Sequence, residues 1–332
     1  MDWVRIGLIG SGYMGRTYAE CLKRYTTGGV LTAVAGGTRA AGLAADYSVA
    51  HSPGIEDLLA RPDVDAVLVT SPHTAHVTQV EAAARAGKHV LVEKPMALNA
   101  AECDRMIAAC DEAGIVLSVI QTWRFRGTVA RAKQLVAAGE IGAVRMLQVR
   151  MLFPWADDAG KGWTTSPEEG GLLLDAGAHV YDFARWFAGS EAVRVMGTVR
   201  DFRGGPVPFP TAMAQIEFAN GVIASTWLSW ELPAPGLPQN SFRALVIGDH
   251  GMLDVDGYGK LQASLHGKPW ELVWEQPAID FIGRPLAPER LEAFYLQVQD
   301  FIDCIREGRP PAVTGADGRA AIDMVDRVRA GE

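Results

Sequence analysis

Asp175, His179 and Asp182 stand at i, i+4 and i+7. On an α-helix these positions share one face. The opposite side of the same stretch carries Leu172, Leu173, Ala176, Val180, Phe183 and Phe187, so such a helix has a core to pack on. Histidine titrates near neutral pH and can take or give the proton of an alcohol during hydride transfer. Asp175, one turn earlier, can bind a hydroxyl or orient the imidazole. The spacing also suits a surface Asp–His pair or part of a metal site. No His-Glu-x-x-His occurs and no cysteine lies nearby to complete a ligand set, so no metal is expected.

Two further motifs precede this one. Glu93-Lys94-Pro95 follows the apolar run His89 to Val92. Ligands of open α/β sheets bind at the carboxyl ends of strands, where a lysine can polarise a hydroxyl or carbonyl oxygen. A surface lysine paired with Glu93 is the plainer alternative. Gly10-Ser11-Gly12-Tyr13-Met14-Gly15 is a G-x-G-x-x-G between an apolar β-type run, Val4 to Ile9, and a helical run, Arg16 to Arg24. Gly10 permits the tight turn, Gly12 lets backbone approach a pyrophosphate, and Gly15 lets helix and strand pack closely. The start of the helix then offers N–H groups and the positive dipole end to phosphates. Tyr13 and Met14 fall within the same cradle.

A carboxylate ending the second strand would bind the ribose 2′-hydroxyl of NAD. The strand ends instead in Gly36-Gly37-Thr38-Arg39, and the next carboxylate is Asp46. Thr38 and Arg39 suit a 2′-phosphate, so NADP(H) is favoured and NAD(H) possible.

These motifs need a particular scaffold. Val4 to Ile9, Val30 to Ala35, Ala66 to Val69, His89 to Val92 and Val116 to Ile120 are apolar runs alternating with Ala-rich helical stretches. Strands apolar on both faces and alternating with helices form a parallel, doubly wound sheet. After about residue 120 the pattern changes. A helix (Gly127 to Ala138), a strand (Arg145 to Phe153), an irregular stretch bearing Trp155 and Trp163, and a helix (Gly171 to Phe187) precede successive strands from Val193 to Trp274. Two helices close the chain, Pro288 to Arg306 and Asp317 to Ala330. The expected fold is an α/β Rossmann domain, 1–121, followed by an α+β domain with a mainly antiparallel sheet, 122–332, whose closing helix returns to the first domain.

Composition sets limits. The 332 residues are 48% hydrophobic and 21% charged, with net charge −8. That is ordinary for a globular chain and argues against a nucleic-acid or anionic membrane surface. No apolar run reaches a membrane span and no signal-peptide pattern opens the chain. Cys21, Cys103, Cys110 and Cys304 form no Cys-x-x-Cys pair. Reduced thiols and a cytoplasmic location are expected.

The three motifs, with Gly170-Gly171-x-x-x-Asp175-x-Gly177-x-His179-x-x-Asp182, resemble the ordered signatures of the Gfo/Idh/MocA oxidoreductases. Thr70-Ser71-Pro72-His73-x-x-His76 is similar to that family's Thr-Pro-Asn-x-x-His turn, with His73 in the Asn place. The resemblance spans essentially the whole chain. It implies hydride transfer between nicotinamide and a sugar, polyol or related hydroxyl compound, with Lys94, Asp175 and His179 as the catalytic trio and a cis bond at Lys94–Pro95. It adds Ser71, Pro72, His73, His76, Glu93 and Lys94 to the cofactor-binding residues, and places Trp123 and Arg124 by the substrate. Apart from the resemblance, Trp123, Trp155 and Trp163 could offer apolar faces to a sugar ring, although tryptophans are as often core. The resemblance also implies a homodimer or homotetramer built on the C-terminal sheet. Two other functions use the same residues: a glycoside-cleaving enzyme that retains its cofactor through a transient oxidation, and a dinucleotide-binding regulator without chemistry. The full Lys–Asp–His set counts against the last.

Overall fold

The computed structural model describes residues 3–154, 166–239, 241–281 and 283–331. The chain divides into two compact units, Met1–Thr122 with Asp280–Arg319, and Trp123–Ile279 with Ala320–Glu332.

The first unit is built on six parallel strands: β1 (Val4–Ile9), β2 (Gly29–Ala35), β3 (Ala50–His51), β4 (Ala66–Val69), β5 (His89–Val92) and β6 (Leu117–Val119). Helices α1 (Tyr13–Arg24), α2 (Ala40–Tyr47), α3 (Ile55–Leu59), α4 (His76–Arg85) and α5 (Ala100–Glu112) connect them. The strand order is β3-β2-β1-β4-β5-β6. It reverses between β1 and β4, the point at which doubly wound sheets open a ligand crevice. Every residue of β4 is buried, as a sheet covered on both faces requires. The two-residue β3 and the five-residue α3 are too short to carry a periodic signal, and sequence reading did not resolve them.

The second unit opens with α6 (Gly127–Ala137), β7 (Val144–Pro154) and α7 (Gly171–Ala188). Seven strands follow: β8 (Ala192–Arg200), β9 (Thr211–Phe218), β10 (Ile223–Leu232), β11 (Phe242–Gly248), β12 (Gly251–Asp256), β13 (Lys260–Leu265) and β14 (Glu271–Glu275). The sheet order is β14-β13-β12-β11-β7-β10-β9-β8. The β7–β10 pair is parallel and the other neighbours are antiparallel. Alternation sets the buried face. On β9, Ala212, Ala214, Ile216 and Phe218 are buried while Met213, Gln215 and Glu217 are exposed. Helix α7 packs on β7, β9 and β10.

Glycines place the start of α7. Gly170 and Gly171 both have positive φ, 85° and 65°. A Cβ on Gly171 would stand 2.1 Å from the Pro208 carbonyl oxygen, which accepts the Leu172 N–H at 3.1 Å. Only glycine admits that approach.

Helices α8 (Pro288–Glu307) and α9 (Gly315–Ala330) close the chain. Residues 280–319 belong with the first unit because Val298, Phe301 and Ile302 of α8 complete the apolar cluster formed by Val4, Ile6, Leu8 and Leu22. The four cysteines are buried free thiols. Among the described residues, no helix is long and apolar enough to cross a membrane.

Candidate active site

The three glycines of the first motif do different work. Gly10 has φ 111°, and a Cβ there would meet Thr70 Oγ1 at 2.6 Å. A Cβ on Gly15 would stand 2.2 Å from the Gly10 carbonyl oxygen, so α1 packs directly on the turn. Gly12 faces open space; the nearest atom to a Cβ would be Arg39 Nη2 at 3.7 Å. Helix α1 starts at Tyr13 with no side-chain cap and no acid in its first turn. Its first N–H groups and positive dipole end are therefore available to an anion. A diphosphate fits this cradle. Beyond it, Ser11 Oγ donates to the Gly36 carbonyl at 2.9 Å. Gly36 and Gly37 have φ 80° and 79°, and Thr38 and Arg39 are exposed. Asp46, the first acid after β2, is paired with Arg16 on α1.

Sequence reading missed Arg290. Its buried guanidinium lies 4.9 Å over the ring of half-exposed Tyr13 and donates to the Pro285 carbonyl at 2.6 Å. It stands on α8, far along the chain, and no local pattern marks it.

The turn after β4 leans on the glycine turn, since Thr70 Oγ1 donates to the Ile9 and Gly10 carbonyls at 3.1 and 3.2 Å. Ser71 Oγ donates to Gln79 Oε1 at 2.6 Å. Pro72 is exposed, whereas His73 is buried and His76 is 0% exposed. The imidazole of His76 lies between the Pro95 carbonyl (Nδ1, 3.0 Å) and the Ser71 carbonyl (Nε2, 3.1 Å). Burial, and secondarily the neighbouring His73, push its pKa down to about 4, so the ring is neutral at neutral pH. Glu93 is also buried. Its carboxylate accepts from Tyr18 Oη and from the Lys94 N–H, each at 2.9 Å. His76 and Glu93 were expected among the cofactor ligands. These contacts turn them into the protein, toward the turn that carries Lys94. Lys94 is partly exposed, and Lys94–Pro95 is cis.

In the second unit, α7 presents Asp175 partly exposed and His179 9% exposed, with Asp182 one turn on and 2% exposed. Trp123 stands edge-on to the His179 ring at 6.0 Å. It stacks on Phe242 at 3.9 Å and meets Tyr258 edge-on at 4.7 Å. A Cβ on Gly257 would come within 2.0 Å of the Trp123 ring, so that glycine leaves room for the indole. Arg124 is buried. Its Nε and Nη2 donate to the two carboxylate oxygens of Asp182 at 2.8 and 2.5 Å. Two charges taken out of water are tolerable in this bidentate arrangement, and costly if one partner is removed. Arg126, also buried, lies 5.0 Å over the Tyr258 ring. Tyr258 and Phe242 were not foreseen, because the fold alone brings them to Trp123. Trp163 and Trp155 lie outside the described residues.

Lys94 thus belongs to the first unit, and Asp175 and His179 to the second. Among the described residues, no group of His, Cys, Asp and Glu side chains forms a metal-binding cluster.

Residues 4–121 match the family model for the Gfo/Idh/MocA oxidoreductases with an NAD-binding Rossmann fold, and residues 129–254 match the Gfo/Idh/MocA C-terminal domain. The chain belongs to this family. It is accordingly an oxidoreductase that uses a nicotinamide cofactor. This Gfo/Idh/MocA protein is 30% identical to a myo-inositol 2-dehydrogenase of Thermotoga maritima over 96% of its own length and 93% of the relative's. It is 29% identical to a scyllo-inositol 2-dehydrogenase (NAD(+)) of Bacillus subtilis, covering 97% and 92%. The aldose-aldose oxidoreductase of Caulobacter crescentus, solved with glycerol, superposes with a TM-score of 0.85 at 27% identity, covering 99% and 97%.

Proposed function

We propose that this Gfo/Idh/MocA oxidoreductase transfers hydride between a nicotinamide and a hydroxyl-bearing carbon of a sugar or polyol, with Lys94, Asp175 and His179 as its catalytic residues. The observation that carries the reading is α7 itself. It sets a carboxylate and an imidazole one turn apart, with an indole edge against the imidazole, in a chain whose relatives are named for inositols and aldoses. In the oxidative direction an imidazole nitrogen of His179 takes the hydroxyl proton. Asp175 holds a substrate hydroxyl and favours the imidazolium that forms. The Lys94 ammonium stabilises negative charge on the substrate oxygen. The bound nicotinamide supplies the hydride acceptor at C4. A screen of sugars and polyols with both cofactors, read by nicotinamide absorbance, tests this. Net reduction of the cofactor supports the dehydrogenase. Substrate consumption without net reduction favours a cofactor-retaining enzyme instead.

NADP(H) is the preferred cofactor in this reading. The end of β2 offers two glycines, a threonine and an exposed Arg39 whose guanidinium lies beside Gly12. Among the described residues no carboxylate is paired with Arg39. A hydrogen bond to a charged group contributes about 1.5–3 kcal/mol, so Arg39→Ala should weaken NADP(H) binding by roughly 10–100-fold and leave NAD(H) nearly unchanged. A clear NAD(H) preference that survives Arg39→Ala removes this assignment.

The protein assembles through the outer face of the second sheet, as a dimer or tetramer. That face exposes Met146, Met213, Ile223 and Trp227, each 40–50% accessible, with Trp227 opposite Met213 and Ile223 opposite Met146 on neighbouring strands. Contiguous apolar side chains on one sheet face mark an interface, and a second copy offers the same surface.

A further inference from the structure

We infer that Tyr18 and His76 are positioning residues for Lys94, bracing its backbone from two helices of the Rossmann unit; the inference rests on the catalytic role proposed for Lys94. One strut runs from α1. Tyr18 Oη donates to Glu93 Oε1 at 2.9 Å, and Glu93 Oε2 accepts the Lys94 N–H at 2.9 Å. The other runs from the first residue of α4. His76 Nδ1 lies 3.0 Å from the carbonyl of Pro95, the next residue after Lys94, while Nε2 lies 3.1 Å from the Ser71 carbonyl. Ser71 is adjacent to Thr70, which is bonded to the glycine turn. A neutral imidazole has a single N–H, so His76 donates to one of these two carbonyls and only packs against the other, while the Tyr18–Glu93–Lys94 strut is hydrogen-bonded throughout. Both struts are buried: Tyr18 is 1% exposed, His76 0% and Glu93 7%.

Burial explains why these groups suit the task. A buried polar group without its partner is costly, so each strut has one strongly favoured geometry. His76 cannot reach a ligand from where it sits, and Tyr18 presents its hydroxyl to Glu93 rather than to solvent. Neither does chemistry; both fix where the chemistry is presented. An error of about 1 Å in placing a catalytic group can cost roughly 100-fold in rate.

Tyr18→Phe removes a single oxygen with little change of shape, and His76→Phe removes both polar ring atoms. Two measurements on the full-length protein test the brace. In the cofactor-free protein, amide hydrogen exchange should quicken at Lys94, Met96 and Ala97 in both variants and stay as in wild type elsewhere in the unit. In turnover, kcat should fall by about 10–100-fold while the Kd for NADPH or NADH, by fluorescence titration, changes less than about threefold. His76→Gln, which restores one donor, should recover part of the kcat. Unchanged exchange at Lys94, Met96 and Ala97 in Tyr18→Phe overturns the brace whatever the kinetics do. So does a loss in which melting temperature, cofactor affinity and kcat all decline together without recovery by His76→Gln. If wild type turns over no sugar or polyol, the functional proposal fails, and the exchange measurement still decides whether Tyr18 and His76 hold the Lys94 turn.

Discussion

The glycine turn of the first unit and the polar face of α7 in the second are made in opposite ways. The turn is a site of missing side chains. Gly10 and Gly15 exist so that backbone can touch backbone, and Gly12 leaves a concavity whose donors are the N–H groups of a helix start. The face of α7 is a site of added side chains, set into a helix buried nearly all round. It tolerates charge only because Asp182 meets Arg124 bidentately and because Trp123 is wedged among Phe242, Tyr258 and His179. A binding cradle made from backbone should suffer from atoms gained. A reactive face made from side chains should suffer from atoms or charges lost.

The largest expected effect lies on α7. His179→Ala should lower kcat by about 10²–10⁴-fold, the usual worth of general acid–base catalysis, and abolish pH dependence near neutrality. Lys94→Ala should lower kcat strongly but leave a pH profile still shaped by His179. If His179→Ala keeps near-normal kcat while Lys94→Ala flattens the profile, the two roles are exchanged. If neither matters while cofactor still binds, the reactive face lies elsewhere.

Next comes the support beneath that face. Asp182→Asn takes the bidentate carboxylate from the buried Arg124 guanidinium, and should destabilise the fold by about 3–5 kcal/mol in urea melts. A loss below about 1 kcal/mol would mean that the pair behaves like a surface ion pair and that α7 does not depend on it.

The glycine turn supplies the converse test. Gly15→Ala pushes a methyl group into the Gly10 carbonyl, 2.2 Å from its ideal position. Overpacking of this kind costs about 1–3 kcal/mol, and cofactor affinity should drop with it. Gly12→Ala meets nothing closer than Arg39 Nη2 at 3.7 Å, so the melting temperature should hold while cofactor affinity falls, because the methyl group occupies the cradle. Equal thermal losses in both variants would erase the distinction between a packing glycine and a cradle glycine.

The smallest perturbation to the protomer concerns neither site. Trp227→Glu places a charge on the outer sheet face, where Trp227 is 40% exposed. Circular dichroism should be unchanged while the molar mass from light scattering falls. A wild-type protein that is already a monomer at micromolar concentration removes the proposed interface.

By itself the sequence determined whatever depends on neighbours along the chain. The apolar runs of β1, β2, β4 and β5, the glycine spacing before α1, and the i, i+4 relation of Asp175 and His179 are local, because strand and helix periodicities are set by backbone geometry. The parallel sheet and the mainly antiparallel second sheet followed from how those runs alternate. Tertiary structure alone decided which groups meet. Arg124 reads as a substrate-side residue, and nothing local marks Asp182, 58 residues away, as the group it meets. For Glu93 and His76, expected beside the cofactor, no local pattern shows that Tyr18, Ser71 and Pro95 are the groups they meet. Helix α8 could have covered either unit, and its apolar stripe found the cluster around Val4, Ile6 and Leu22. The parallel pairing of β7 with β10 arises the same way. Periodicity reports which face of an element is apolar; which surface that face meets depends on distant segments packing to native density, and no local pattern encodes that choice.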